Sequence, residues 1–262
     1  MYAFIFSGYL FSCGGVFMRY LITFSYDGTN FNGYQKQPNL RTIQGELESA
    51  LKFISGGNDI TVNSSGRTDK GVHALNQKAH FDLDKNITCY KLKCALNTYT
   101  KDDIYIKSVE AVADNFHARY NVSKKEYIYK INMNEYNPIE KDYVYQYNKK
   151  IPKELLDKFI SKMNGKHNFK SFTSDKDKKS YERILKMDYK ITKGILYLRF
   201  ESSGFFRYMI RNIVGLLLDI NNGKKSINDI DNIFKSENRI SAGICASPVG
   251  LYLNKIYFDK RC

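Results

Sequence analysis

The segment at residues 64–74 organises this chain, and it reads Ser64-Ser65-Gly66-Arg67-Thr68-Asp69-Lys70-Gly71-Val72-His73-Ala74. Glycines around a charged run provide backbone freedom where a chain turns tightly or a ligand comes close. Asp69 has cations on both sides, which favours its ionised form. An ionised aspartate can act as a nucleophile or as a general base. On chemistry alone, a surface turn capped by Asp69 is the more common explanation.

The composition indicates a globular protein with a polyanionic partner. The 262 residues suffice for one large or two small domains. A 43% hydrophobic content with only 4 prolines excludes a disordered composition. The net charge of +14 favours nucleic acid over an anionic membrane, although a merely soluble basic surface is the alternative. The 21 tyrosines and 17 phenylalanines offer stacking surfaces for unstacked bases, so RNA is the favoured partner class.

The cysteines indicate neither a metal site nor a disulfide framework. They are scattered, odd in number and without a Cys-x-x-Cys pair: Cys13, Cys89, Cys94, Cys245 and Cys262. We therefore expect a reducing, cytoplasmic setting and no metal.

The first 17 residues differ in character from the rest of the chain. They lack the positive region of a secretory signal and a sufficient apolar run for a membrane span, so we expect no membrane association. Met18 directly precedes a well-patterned strand. We expect Met18 to be the real start and residues 1–17 to be a gene-start artefact or a loose tail.

Hydrophobic periodicity predicts alternating strands and helices. Strands are expected at 20–26, 61–63, 77–83, 104–111, 127–133, 184–191 and 195–201, and a last one after 253. Helices are expected at 43–54, 90–97 and 206–220, and two more begin at 152 and at 226. Thr42 is the expected N-cap of the first helix and Gly56-Gly57 its stop. This order predicts an α+β protein with two similar-sized lobes, 18–133 and 152–262, joined by a connection at 134–151.

A second informative stretch begins at Phe206. Every third or fourth residue is apolar up to Ile220, which predicts one buried helix face. Arg207 and Arg211 would lie together on its flank, one turn apart. An arginine pair at a helix edge is usually explained by packing alone.

The central segment from Gly66 to Ala74 closely resembles the active-site motif of the tRNA pseudouridine synthase A family. Further matches follow in the expected order: Tyr26-Asp27-Gly28, Phe31, Gly33-Tyr34-Gln35-Lys36-Gln37, Phe116-His117-Ala118-Arg119, Asn168-Phe169-Lys170-Ser171-Phe172, Met209-Ile210-Arg211-Asn212-Ile213-Val214-Gly215 and Pro248-Val249-Gly250-Leu251-Tyr252-Leu253. Together they span roughly 18–258.

The departures from the family pattern are small. Lys70 replaces the alanine common after the catalytic aspartate, and Tyr34 stands where a tryptophan is frequent. Arg207-Tyr208 stand where histidines are often found. None of these changes touches the residues on which the assignment depends. Lys70 and Arg207 are expected to contact RNA.

The resemblance implies a fold and a reaction. Two α/β lobes would meet around a basic cleft, and a homodimer would bind tRNA across both subunits. Uridines 38, 39 and 40 of the anticodon stem-loop would be isomerised to pseudouridine, with the base flipped out of its stack. No cofactor is implied, because the reaction has no redox or group-transfer step.

The resemblance also assigns roles to individual residues. Asp69 would be the catalytic residue, attacking either the sugar or the uracil ring, and Arg211 its partner. Tyr127 would lie against the target uridine, where a phenol can also move a proton, although its strand pattern alone suggests a core aromatic. Arg67 would enter the stack that the uridine leaves.

Two other functions remain open from the residues alone. A non-catalytic RNA-binding module would use the same basic, aromatic surface without needing Asp69. A different hydrolase or lyase is less favoured, because no second acid or base is evident near Asp69. A phosphate-binding loop is excluded, since Val72-His73 stand where Lys-Ser/Thr is required.

Overall fold

The computed structural model describes residues 18–85 and 87–259, and residues 1–17, with the tail expected there, lie outside this range. The strands of the described chain are Met18–Tyr26 (β1), Asn63–Ser64 (β2), His73–Leu83 (β3), Ile104–Val112 (β4), Val122–Asn132 (β5), Tyr145–Gln146 (β6), Gly165–Asn168 (β7), Glu182–Thr192 (β8), Ile195–Ser202 (β9) and Leu251–Phe258 (β10). Its α-helices are Ile43–Ser55 (α1), Cys89–Tyr99 (α2), Lys153–Met163 (α3), Met209–Asn221 (α4) and Asp229–Ser236 (α5), and two short 3-10 helices lie at Lys170–Phe172 and Arg239–Ala242.

One mixed sheet connects the two halves of the chain. Its order is β4-β1-β3-β10-β5-β9-β8-β7, with β2 on β3 and β6 on β5. The halves meet where β10 runs parallel to β3, with Tyr252 opposite His73 and Leu253 opposite Ala74. The strand that follows the central segment is therefore paired directly with the last strand. The predicted α+β class is confirmed, and the lobe boundaries remain a prediction.

Helix α1 begins and ends where its sequence predicts. The Thr42 hydroxyl accepts a hydrogen bond from the Gly45 N–H at 3.3 Å, which caps the N-terminus. Gly56 is left-handed, with φ of 82°, and ends the helix. Leu47 and Leu51 are fully buried in the core beneath the sheet.

The strand β5 carries its aromatic residues into the core as the alternation predicts. Tyr127, Tyr129 and Ile131 are all buried on one face. Tyr129 donates to the Ser247 carbonyl at 2.6 Å, so its hydroxyl is paired. This hydrogen bond ties β5 to the segment just before β10.

Helix α4 starts later than its apolar stripe predicts. Tyr208 has a φ of 62°, a left-handed conformation that cannot continue into a right-handed helix, so α4 begins at Met209. Phe206 and Arg207 therefore precede the helix, and the prediction that Arg207 and Arg211 share its flank is wrong. The last helix, α5, likewise begins at Asp229, three residues after the expected Ser226.

Candidate active site

The central segment forms the loop between β2 and β3, and hydrogen bonds hold it on several sides. The Thr68 carbonyl accepts from the Tyr34 N–H at 3.1 Å, and the Thr68 hydroxyl is 2.8 Å from the Tyr26 hydroxyl. The Gly66 carbonyl accepts from the Gln77 side chain at 2.8 Å. Asp69 thus projects from backbone that is fixed before any substrate arrives.

Glycines allow this loop to lie close to its neighbours. Gly71 has a φ of 77°, which L-residues rarely adopt. A Cβ on Gly28 would lie 2.1 Å from the Val72 carbonyl oxygen, so only glycine fits there. Gly28 allows the loop to lie against the end of β1, and Gly71 allows it to approach Pro248.

Asp69 is paired with Arg211 across the cleft. The Arg211 Nη1 lies 3.4 Å from the Asp69 Oδ2, and both side chains are mostly buried, at 15% and 23% exposure. The Arg211 Nε donates to the Ala246 carbonyl at 2.8 Å, and the Ala246 N–H donates to the Arg211 carbonyl at 3.0 Å. The guanidinium is therefore held in place independently of Asp69.

Burial and neighbouring cations shift the pKa of Asp69 in opposite directions. Burial raises the pKa of its carboxyl above the ordinary value, and this effect outweighs the lowering by Arg211 and Arg207. Asp175 raises the pKa further. The expectation that neighbouring cations dominate was therefore wrong. The cations that do lower its pKa come from the α4 region and not from the segment itself.

Tyr127 lies in the same cleft and is 7% exposed. Its ring packs edge-on against Phe205, with centroids 5.2 Å apart. Burial raises the pKa of its hydroxyl far above the ordinary value, so the phenol keeps its proton at neutral pH. Tyr127 can therefore offer a flat surface and a proton to a group in the cleft.

The cleft around these residues is large and cationic. It has a volume of about 1050 Å³. Its lining includes Arg67, Lys70, Arg119, Lys125, Lys178, Arg183, Arg207 and Arg211, against the carboxylates of Asp69 and Asp175. All six predicted site residues lie in this one cleft. Such a lining favours a polyanionic ligand.

The outer residues of the predicted site lie at the cleft surface. Arg67, Lys70 and Arg207 are exposed. The Arg207 Nη2 donates to the Tyr208 hydroxyl at 2.9 Å, and the Arg207 and Arg211 guanidinium carbons lie 4.8 and 5.2 Å from the Tyr208 ring centre. The left-handed Tyr208 therefore brings both arginines around a single ring.

Within the described ranges, no three His, Cys, Asp or Glu residues are grouped so that they could hold a metal ion. In the same ranges, no helix has the length and apolarity to cross a membrane.

Comparison with known proteins identifies the family. A family model described as tRNA pseudouridine synthase matches residues 22–121 and 159–259. The chain belongs to the tRNA pseudouridine synthase family. This synthase is 40% identical over 250 residues to tRNA pseudouridine synthase A of Streptococcus agalactiae, covering 93% of this chain and 97% of that protein. It is 41% identical over 245 residues to the protein of that name from a Geobacillus strain, covering 92% and 99%.

Family membership makes this chain an isomerase that converts uridine in tRNA to pseudouridine. The two matched blocks contain five of the six predicted site residues; the sixth, Tyr127, lies between the blocks. Arg67, Asp69 and Lys70 lie in the first block, and the arginines of the α4 region lie in the second. The fold brings the two blocks together at the cleft.

Sequence reasoning overlooked several residues of the synthase's cleft. Asp175 and Lys178 belong to the charged run 174–179, whose composition is typical of a solvated loop, yet both line the cleft. Asp175 Oδ2 accepts from the Arg207 N–H at 3.3 Å. Tyr120 is 77% exposed in the same lining. Lys125, just before the strand predicted at 127–133, also lines the cleft. The match at 116–119 was the one signal pointing to this side of the cleft.

Proposed function

We propose that the synthase acts on uridines 38, 39 and 40 of the tRNA anticodon stem-loop, with Asp69 as its nucleophile. The observation that carries this proposal is the Asp69–Arg211 pair at 3.4 Å inside a cationic cleft. A carboxylate fixed by a guanidinium is oriented for one direction of attack. The cleft is wide enough at about 1050 Å³ to admit a nucleotide flipped from its stack.

The reaction rearranges one base without net addition or loss. The bond between sugar carbon 1′ and base nitrogen 1 breaks, the uracil turns, and carbon 5 bonds to carbon 1′. Nitrogen 1 gains a proton and carbon 5 loses one, so atoms and electrons balance. Asp69 provides the nucleophile for the detachment, and Arg211 stabilises the carboxylate before attack and after release.

Tyr127 is the proposed platform for the detached uracil. Its ring is buried at the base of the cleft and is held edge-on by Phe205. Since the phenol is protonated at neutral pH, it can donate a hydrogen bond or a proton to the turning base. Tyr127→Phe removes only the proton donor, whereas Tyr127→Leu also removes the stacking surface, so the two roles can be tested separately.

Three exposed cations complete the proposed substrate contacts. Arg67, two residues before Asp69, would occupy the stack that the uridine leaves. Lys70 and Arg207 would contact phosphates at the cleft surface. Such contacts position the stem-loop but do not read its sequence.

We also propose that the synthase is a homodimer that binds tRNA across both subunits, and that it is cytoplasmic. The family resemblance supports the homodimer. The described cysteines Cys89, Cys94 and Cys245 are free thiols, which suits a reducing compartment. Sedimentation of the full chain with and without tRNA tests the assembly.

The experiment for the proposed function follows tritium release from carbon 5 of labelled uridine. Three unmodified tRNA transcripts each carry one labelled uridine, at position 38, 39 or 40. We expect release from all three with the wild type and from none with Asp69→Asn. Release at only some of the three positions would show that the enzyme modifies fewer uridines than proposed. Tritium release by Asp69→Asn at the wild-type rate would show that Asp69 is not the nucleophile.

A further inference from the structure

Lys125 lies in the active cleft but has no part in the proposed reaction. It stands on β5 two residues before Tyr127, so both side chains project from the same face of the strand. Its Nζ donates to the Ser65 carbonyl at 2.7 Å. A Cβ on Gly66 would be only 2.8 Å from this Nζ, so glycine leaves the space that the ammonium occupies.

The charge of Lys125 is not neutralised by the described part of the protein. Among the described residues, the one charged group that shifts its pKa is Arg119, another cation. Its cross-strand neighbours, Ser202 on β9 and Ile256 on β10, are uncharged. Burial and Arg119 together lower the pKa of Lys125 to about 8. A buried cation beside a second cation lacks a counter-ion.

A polar group close to Lys125 in the cleft lining also lacks a partner. The Ser65 side chain is fully buried, and its Oγ has no hydrogen-bond partner among the described residues. Buried hydroxyls are nearly always paired, and one left unpaired in a cleft is a candidate ligand contact. Ser65, Arg119 and Lys125 all line the cleft that holds Asp69.

We infer that Lys125, Arg119 and the Ser65 hydroxyl form a subsite for one phosphodiester group of the RNA backbone. The inference rests on the proposed function in that RNA is the ligand. A phosphodiester supplies the missing negative charge for both cations and an acceptor for the hydroxyl. The simpler explanation, that Lys125 only fixes the Ser65 carbonyl, leaves the pair of cations and the unpaired hydroxyl unexplained.

Occupation of this subsite changes the protonation of Lys125. In the free protein the ammonium loses its proton as pH rises through about 8. A bound phosphate favours the charged form and raises the lysine pKa. Below about pH 8 binding therefore needs no proton uptake, whereas above it each binding event takes up a proton. The affinity for RNA falls as pH rises above this value.

The test measures RNA affinity against pH and salt for matched variants. All proteins carry Asp69→Asn, so that no turnover occurs, and the probe is an unmodified anticodon stem-loop transcript. Lys125→Arg keeps a charge at every pH, and Lys125→Met removes it. Lys78→Met is the control, because Lys78 is also a half-buried lysine with a lowered pKa, bonded to Thr23, but it lies outside the cleft lining.

The expected pattern separates the subsite from a purely structural lysine. With Lys125 present, affinity falls up to about tenfold per pH unit above pH 8. Lys125→Arg removes this pH dependence and keeps the salt dependence. Lys125→Met weakens binding at pH 7 and lowers the slope of log affinity against log salt by roughly 0.7 to 0.9. Lys78→Met should show the same pH and salt dependence as the protein that carries Asp69→Asn alone.

Two results would overturn the subsite. One is an unchanged salt slope in folded Lys125→Met. The other, which does not depend on the folding of that variant, is a fall in RNA affinity above pH 8 that is the same in Lys125→Arg as in the protein that keeps Lys125. Neither result would affect tritium release by the wild type, so failure of the subsite is distinct from failure of the proposed function.

Discussion

Arg211 reaches Asp69 across 142 residues of sequence, with the Nη1 of the arginine 3.4 Å from the Oδ2 of the aspartate. The Nε of the same arginine donates a hydrogen bond to the Ala246 carbonyl at 2.8 Å. The position of Arg211 therefore depends on the segment before β10 and not on its helix alone. Substitutions on either side of this contact should affect catalysis in different ways.

Arg211→Met should reduce kcat by roughly 10² to 10³. Because Arg211 lowers the pKa of Asp69, its removal raises that pKa further, so the acidic limb of the rate profile should move to higher pH. Single-turnover rates against pH measure both effects. A fall in kcat with an unmoved acidic limb would contradict the assigned contact.

Asp69→Asn should make the folded protein more stable at neutral pH, by about 0.5 to 2 kcal/mol. Burial raises the folded pKa of Asp69 above its unfolded value, so ionisation disfavours folding. The difference from wild type should be small at low pH, where the carboxyl is protonated in both states, and should grow as pH rises through the folded pKa. Urea denaturation at several pH values measures it.

Asp59→Asn provides the contrast for this measurement. Lys52 lowers the pKa of Asp59, so the ionised form is favoured there. Its substitution should change stability in the opposite direction or not at all. A destabilised Asp69→Asn would show that the pair with Arg211 outweighs the burial of the carboxylate.

Gly215→Ala should destabilise the protein by about 1 to 3 kcal/mol. In an open helix this substitution is favourable, but in α4 the new Cβ would lie 1.9 Å from the Ile244 carbonyl oxygen. The shift would also reach Ala246, which holds Arg211. The melting temperature and kcat should both fall.

Gly204→Ala is the matched control for that substitution, since no neighbouring atom lies within 4 Å of its Cβ position. It should leave the melting temperature nearly unchanged. Equal effects of the two substitutions would mean that the close approach of α4 to the Ile244 carbonyl is unimportant.

Tyr127→Phe should lower kcat by about 10² while the affinity for RNA stays within a few fold. The ring is retained, but the proton that burial keeps on the phenol is lost. Tyr127→Leu should weaken RNA binding as well, because the flat surface is removed. Filter binding and single-turnover kinetics separate the two. Wild-type kcat in Tyr127→Phe would limit this residue to stacking.

The elements that local patterns define could be predicted from sequence. Thr42 and Gly56 carry their cap and stop signals in their own chemistry, and the alternation on β5 identifies Tyr127 and Tyr129 as one face. The short strand predicted at 61–63 is observed as Asn63–Ser64, directly before the central loop. In these cases the residue type itself determines the local conformation.

The remaining features depend on neighbours that are distant in sequence. Tyr208 becomes left-handed where its ring meets two arginines, and nothing in its local sequence signals a helix start after it. The burial that governs Asp69 depends on how α4 closes over the loop. Lys125 follows another lysine and precedes a glutamate, a pattern typical of exposed side chains, and its burial depends on the packing of β5 against the loop at Ser65.

The place of β10 in the sheet has a consequence for the synthesis of this enzyme. This strand leaves the ribosome after the nine other strands of the described chain, yet it occupies the middle of the sheet between β3 and β5. A nascent chain lacking β10 has no strand to join β3 to β5, and one that ends before Ala246 also lacks the carbonyl that holds Arg211. Modification activity should therefore appear only after β10 has been synthesised and has left the ribosome, and a truncation that removes β10 should abolish it.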